Sequence, residues 1–294
     1  MKRWLVAVNG AAGRRSVRLS TLRDVLGTTG IEYEMVAPTT RLEMTEAIVD
    51  ASRKGCSHFV MVGGDGTVNL AVNALMPLDL GDKPTIGILP AGTGCDLLRT
   101  FGISQDLGEA AKHLGTDSRY RIDVAYVDGS WGRRFFVNVA QAGVGAAAAA
   151  SARRLGRSLG PTRYPLAFLA RLPRFPRAAI TLTTEKRSIE TEALAVIFAN
   201  GQFFAGGWNV APRATLIDGL LDVQIIDTAK RRAPALVPKV VKGTHLGDPA
   251  VRRVSVAEFD LKSEPVWPVE ADGDHLGNTD ISGRVIPAAI NLKI

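Results

Sequence analysis

The 294-residue chain has only two cysteines, Cys56 and Cys95, and neither stands in a C-x-x-C or Cys/His spacing. That argues against a disulfide scaffold or a thiolate metal centre and fits a reduced, cytoplasmic setting. No apolar run approaches the roughly 20 residues of a membrane span. The run at residues 4–8 is too short for a signal peptide and stops at Asn9-Gly10, so it reads as a first buried strand. Aromatic residues make up 6%, and no nucleic-acid recognition motif is present, which argues against a nucleic-acid partner. Acidic residues are missing altogether between Asp128 and Glu185, where nine arginines stand, in a chain of net charge +7. Such a block suits an anionic partner, phospholipid headgroups among them, although a solvated basic face accounts for it equally well.

What is present alternates in two textures. Up to about residue 123, short apolar strands (4–8, 31–37, 58–62, 85–90) are separated by helical stretches (16–30, 43–55, 68–76, 108–115). Strand and helix in repetition predict a Rossmann-like parallel sheet with helices on its faces, and ligands on such sheets sit beyond the carboxyl ends of strands. From residue 124 to 294 strand patterns dominate, and only 146–172 reads as helical. That predicts a second domain, a β-sandwich.

The stretch FVMVGGDGTVNLAVNAL, residues 59–75, carries an apolar strand into Gly63-Gly64-Asp65-Gly66-Thr67 and out into a helix. Glycines that can adopt positive φ let successive backbone N–H groups face one anion, and the following helix N-terminus adds its partial positive charge. This is phosphate-binding geometry. A carboxylate beside phosphates needs a cation between them, so Asp65 reads as a Mg²⁺ ligand, with the Thr67 hydroxyl beside it. A tight turn whose aspartate caps the helix starting near Val68 remains the alternative. A second loop, Gly92-Thr93-Gly94, again follows a strand, and Asp96 opens the next helix. Two such loops make a nucleotide polyphosphate clamp. Neither has the Gly-Lys-Ser/Thr ending of a Walker A loop, and Asn69 stands where a dinucleotide fingerprint needs its third glycine.

The paired GGDGTVN and PAGTGCDLLRTFG motifs resemble the diacylglycerol kinase catalytic family, which includes soluble bacterial lipid kinases and the sphingosine and ceramide kinases. FANGQFFAGGWNVAPRATLIDGLLDVQII (198–226) and VEADGDHLG (269–277) extend the resemblance through the second domain. It implies an ATP- and Mg²⁺-dependent lipid kinase, diacylglycerol being the default acceptor, with its active site in an interdomain cleft. It further implies ATP contacts at Asn9, Thr40, Gly63, Gly64, Asp65, Gly66, Thr67, Asn69, Gly92 and Thr93. Metal ligands would be Asp65 and Asp96, with a separate structural Mg²⁺ held by Asp218 and the carbonyls of Thr215 and Leu220. Asp272 and Asp274 would receive the lipid hydroxyl's proton.

The chain departs from the family pattern at the first loop (Asn9-Gly10-Ala11-Ala12-Gly13), at Leu70, at Cys95 and at Asp274, where the family carries glutamate. For ADGD and IDGL a plain Asp-Gly turn is the competing reading. The partners implied are a membrane lipid and, through the Arg-rich 153–177 region, an anionic membrane surface, giving a cytoplasmic protein peripherally bound to membrane. A homodimer stays open. An NAD kinase-like or other small-molecule kinase, or a non-catalytic lipid- or nucleotide-binding scaffold, would use the same loops.

Overall fold

The computed structural model describes residues 3–10, 17–91, 95–155, 159 and 162–294. The chain divides into two compact units, residues 1–123 with 287–294, and residues 124–286. The last eight residues therefore pack with the first unit, and the second ends at Ile286 where the sequence had suggested 294.

The first unit runs β1 (Trp4–Val8), α1 (Leu19–Gly27), β2 (Tyr33–Val36), α2 (Arg41–Arg53), β3 (His58–Gly63), α3 (Asp65–Leu75), β4 (Thr85–Pro90), α4 (Asp96–Thr100) and α5 (Leu107–Lys112). Its strands pair in the order β2-β1-β3-β4, all parallel, with Val6 beside Val60 and Val60 beside Gly87. All five residues of β1 are buried, which is why it reads as an uninterrupted apolar run. Helix α1 buries Leu22 and Leu26, one turn apart, against Val6, Val60 and Leu89 of the sheet. The C-terminal residues Asn291 and Leu292 add a further parallel strand beside β4.

The second unit begins within β5 (Arg119–Gly129) and continues with β6 (Gly132–Phe136), β7 (Val139–Gly143), α6 (Val144–Ala152), α7 (Arg163–Arg171), β8 (Ala178–Thr184), β9 (Ser188–Ala193) and β10 (Ala195–Ala199). It proceeds through β11 (Phe203–Phe204), β12 (Trp208–Asn209), β13 (Leu221–Ile226), α8 (Ala233–Lys242), β14 (Val251–Val256) and β15 (Glu258–Glu264). It closes with β16 (Pro268–Ala271), β17 (Asp274–Asn278) and the first part of β18 (Ile281–Lys293). One antiparallel sheet is ordered β14-β13-β10-β7-β16-β17. Opposite it, β8 lies between β9 and β15, and β15 pairs with Ile281–Arg284 of β18. Phe198 of the first sheet stacks on Phe259 of the second with ring centroids 3.8 Å apart, at the centre of a sandwich core that also holds Phe136, Trp267 and Leu261.

The structure departs from the sequence expectation within the second unit. The stretch 133–143 forms two strands, broken at Val137-Asn138. The helical region 146–172 is two helices, α6 and α7. Helix α8 was not expected, because Pro238 in its interior reads as a breaker. Its true punctuation is a proline in the first turn and Gly243 at φ +71° after the last. Among the described residues no helix is long and apolar enough to cross a membrane.

Candidate active site

Parallel pairing brings the carboxyl ends of β1, β2 and β3 to one edge, and the first set of expected residues gathers there. The Asn9 N–H donates to Val62 O at 3.1 Å, and Asn9 Nδ2 donates to Thr67 Oγ1 at 2.9 Å. These bonds tie the loop after β1 to the first turn of α3. Gly63 must be glycine, since a Cβ there would stand 2.2 Å from Thr67 Oγ1. The expected positive φ is not found. Gly64 caps α3 at φ −117°, and neither Gly63 nor Gly66 is left-handed. Close approach, not reversed backbone, is the glycine requirement at 63.

Asp65 is the first residue of α3, yet its carboxylate serves a different helix from the one its position suggests. Oδ2 accepts the Asp96 N–H at 2.8 Å, and Oδ1 accepts the Leu97 N–H at 3.1 Å. Both donors open α4, so Asp65 caps that helix from 31 residues away. The Cys95 thiol, 3.4 Å from Oδ1, is pushed well above the usual thiol range by burial and then by the Asp65 charge, so it stays a thiol donor. Asp96 is buried, with Arg99 Nε 3.5 Å from its Oδ1.

Thr40 caps α2, accepting the Glu43 N–H at 3.1 Å while Glu43 Oε2 accepts the Thr40 N–H in return. Asn69 is buried within α3, where Asn73 Nδ2 donates to its Oδ1 at 3.2 Å. Gly92 and Thr93 lie outside the described residues.

The second set lies in the other unit. Asp272 and Gly273 are the central residues of a two-residue hairpin between β16 and β17, at φ +44° and +87°, closed by the Ala271–Asp274 pair. The Asp-Gly turn reading is therefore correct as geometry. The Asp272 carboxylate does more. Its Oδ2 accepts the Val137 N–H at 2.8 Å, and its Oδ1 accepts those of Asn138 and Val139, each at 3.0 Å. The break between β6 and β7 turns these three N–H groups toward one side chain. Asp274 is held by two arginines, Arg134 at 2.8 Å and Arg153 at 3.3 Å. Arg153 also donates to Gly273 O at 2.8 Å.

Sequence reading missed Glu270 and Gln141, which are buried and bonded to each other beneath this turn. The available signal was an acidic residue at an inward strand position, two residues before the hairpin. Asp218 is exposed and closes a local turn by accepting the Leu220 N–H at 3.0 Å. Thr215 and Leu220 flank that turn. Among the described residues no three His, Cys, Asp or Glu side chains group as a metal site.

Residues 3–127 match the family described as the diacylglycerol kinase catalytic domain, and residues 138–294 match the YegS C-terminal NAD kinase beta sandwich-like domain. The second match spans more than half of the chain. The chain belongs to the family so described, with the diacylglycerol kinase catalytic domain match preceding it. Its relatives include the "Probable lipid kinase YegS" of Salmonella typhimurium, 26% identical over 294 residues, covering 99% of this chain and 95% of that one. The "Probable lipid kinase YegS-like" protein of Citrobacter koseri is 26% identical over 277 residues, 93% of this chain and 91% of its own. In fold, the chain is similar to the crystal structure of a diacylglycerol kinase from Bacillus anthracis, with a TM-score of 0.75 at 21% identity, covering 99% of this chain and 96% of that one. These matches place the chain in a lipid kinase family, and a kinase family implies use of ATP.

Proposed function

We propose that this kinase transfers the γ-phosphoryl group of ATP to a hydroxyl of a membrane lipid, with diacylglycerol the first acceptor to test and phosphatidic acid the product. The observation that carries the reading is the joint presence of a helix N-terminus packed behind Gly63 and an acid turn at residues 272–274 in one chain of this family. The N-terminus of α3 is suited to polyphosphate, because its first N–H groups and its dipole favour an anion.

Asp65 and Asp96 are adjacent acidic residues here, the Asp65 carboxylate accepting the Asp96 backbone N–H. That donor set fits Mg²⁺, which is bound through one or two carboxylates together with substrate phosphates. When bound, the metal would neutralise charge on the phosphate oxygens. In the acid turn, Asp272 is the anchor, its oxygens given to the 137–139 backbone. Asp274, steadied by Arg134 and Arg153, orients the acceptor hydroxyl and takes its proton. A loose phosphoryl-transfer transition state needs positioning more than a strong base.

Membrane docking is proposed through α7 and its flanks. Leu166 and Leu169 are 49% and 47% exposed beside Arg163 and Arg171. An apolar groove of about 670 Å³, lined by Ala147, Leu155, Leu166, Phe175 and Pro268, carries Arg171 and Arg174. Apolar surface edged by arginine is suited to an anionic bilayer, at about 1 kcal/mol per arginine near the surface. Arg153 and Arg177 instead bind Asp274 and Asp227.

The test is γ-labelled ATP with Mg²⁺ and mixed micelles of diacylglycerol, phosphatidylglycerol and sphingosine. Label enters one lipid extract with the wild type and falls at least about 100-fold with Asp274→Asn, while ATP affinity is kept. Label confined to an aqueous product would replace the lipid acceptor by a soluble one, and ATP binding without any transfer would point to a non-catalytic scaffold. Co-sedimentation with phosphatidylglycerol vesicles that ignores both lipid charge and salt would remove the docking role of the arginines.

A further inference from the structure

Two residues before the acid turn lies a carboxyl that the reaction above leaves without a role. Glu270 is 1% exposed. Its Oε2 accepts the Gln141 side-chain N–H at 2.7 Å, and its Oε1 accepts the Gly273 N–H. Gln141, on β7, is itself 4% exposed. A Cβ at Gly145 of α6 would meet the Gln141 Oε1 at 2.0 Å and the Tyr164 hydroxyl of α7 at 3.4 Å, so glycine there keeps the cluster closed. Residues from β7, β16, α6 and α7 thus surround one carboxyl whose partners are the Gln141 side chain and the backbone of the turn.

The charges around it are unfavourable to a third anion. Asp272 and Asp274 lie on the turn, and the two arginines nearby, Arg134 after the start of β6 and Arg153 at the end of α6, bind Asp274. His275, the cross-strand neighbour of Glu270, is exposed, and the Tyr164 hydroxyl is pushed up by burial and then by the charge of Glu270. Burial pushes Glu270 up to about 8; the Gln141 and Gly273 hydrogen bonds pull it down, and the Asp272 and Asp274 charges push it up.

We propose that Glu270 is a positioning residue for the acid turn: through Gly273 it fixes the backbone carrying Asp272 and Asp274, and it does so as a neutral acid. Its catalytic consequence rests on the kinase reading; its hold on the turn does not. In the neutral form Oε1 accepts the Gly273 N–H, and the proton on Oε2 is donated to the Gln141 amide oxygen with that amide turned over. No third negative charge then lies under the two aspartates. Ionisation adds that charge and weakens the geometry that aims Asp274. Glutamine has the same shape and can keep the Gly273 bond, with the Gln141 amide turned over to accept its N–H.

The experiment compares wild type, Glu270→Gln and Glu270→Ala from pH 6 to 10 with two readouts. One is lipid phosphorylation, resolved into kcat and KM for ATP. The other needs no substrate. Trp131 packs over the hairpin, its ring 2.4 Å from where a Cβ on Gly277 of β17 would stand, so its emission reports the hairpin once a Trp131→Phe background is subtracted. In the wild type, kcat falls at least about ten-fold on the alkaline side and Trp131 emission shifts with the same midpoint, near 8, with KM for ATP unchanged. Glu270→Gln keeps at least about a third of the neutral kcat and is flat in both readouts. Glu270→Ala loses about ten-fold in kcat at every pH. A flat wild-type emission, the same midpoint in Glu270→Gln, or Glu270→Gln as impaired as Glu270→Ala would each overturn the proposal. If no acceptor is phosphorylated, the kinase reading fails, and the emission titration still decides whether Glu270 holds the turn.

Discussion

Asp65 and Asp272 stand in similar words of sequence, each beside glycine at the end of a strand, and each carboxylate is given to backbone N–H groups distant in the chain. The glycines beside them do different work. At Gly63 the chain needs room for Thr67, and the backbone stays in ordinary φ. At Gly273 the chain needs a left-handed pair with Asp272 to close a two-residue hairpin. Among the described residues the N–H donors also differ: two for Asp65, at the start of a five-residue helix, against three for Asp272, at a strand break within the sandwich. An Asp-Gly motif therefore fixes a local turn, while the long-range bonds decide how much of the fold depends on it.

The largest expected effect follows from that count. Asp272→Ala strands three N–H groups at the β6–β7 break, and each lost bond to a carboxylate costs about 1–3 kcal/mol. A loss of at least about 3 kcal/mol in urea unfolding is expected, and a loss below about 1 kcal/mol would remove Asp272 as the anchor. Next in size is a pH effect beneath the same turn. Glu270 holds its proton up to about 8 in the folded chain, against 4.5 ordinarily, so the unfolded state releases the proton first as pH rises. Stability contributed by this group therefore falls between about pH 4.5 and 8 and is level above. Unfolding of Glu270→Gln should lack that slope, and parallel curves for the two proteins would contradict the buried neutral acid.

Much of this was legible in the sequence, and the exceptions share a cause. The parallel unit was readable because its strands are buried on both faces and appear as apolar runs, as in β1 and β3. The ADGD turn was readable because turn chemistry is local, whereas the glycine loop was located but its requirement misjudged, close approach to Thr67 standing where positive φ was expected. What was hidden depends on partners far along the chain. Nothing near Asp65 announces that it caps a helix starting at Asp96, and nothing near Asp272 announces the break at Val137-Asn138. The return of residues 287–294 to the first unit depends on pairing of Asn291 with Thr85, more than 200 positions apart. Helix α8 was hidden for the opposite reason, a local breaker overruled by an apolar face formed by residues such as Leu236.

Smaller effects sharpen the contrast between the two glycines of the first loop. Gly63→Ala drives a methyl into Thr67 and should cost about 2 kcal/mol while loosening the Asn9–Thr67 bond, so ATP affinity should fall by about ten-fold or more. Gly66→Ala meets nothing within 4 Å and lies in the first turn of α3, so it should be neutral or stabilising by about 0.5 kcal/mol. Equal effects at the two positions, measured by melting and by ATP titration, would show that the loop is not organised by the Gly63–Thr67 approach.

The smallest stability effect belongs to Asp65, because the helix it caps is short and lost capping bonds typically cost about 0.5–2 kcal/mol. Asp65→Ala should lose about 1 kcal/mol. Asp65→Asn, which keeps an oxygen acceptor for one of the two N–H groups, should lose less. The informative quantity is how these variants respond to Mg²⁺. If Asp65 only holds the start of α4, both variants weaken ATP binding by the same factor with and without Mg²⁺, since the metal is indifferent to a cap. If its carboxylate also serves the cation, Asp65→Asn weakens Mg·ATP at least about ten-fold more than metal-free ATP, because the amide keeps the cap's shape and loses the charge. A calorimetric titration in both conditions separates a carboxylate that builds the loop from one that builds the loop and neutralises its ligand, which is the difference between Asp65 and its counterpart Asp272.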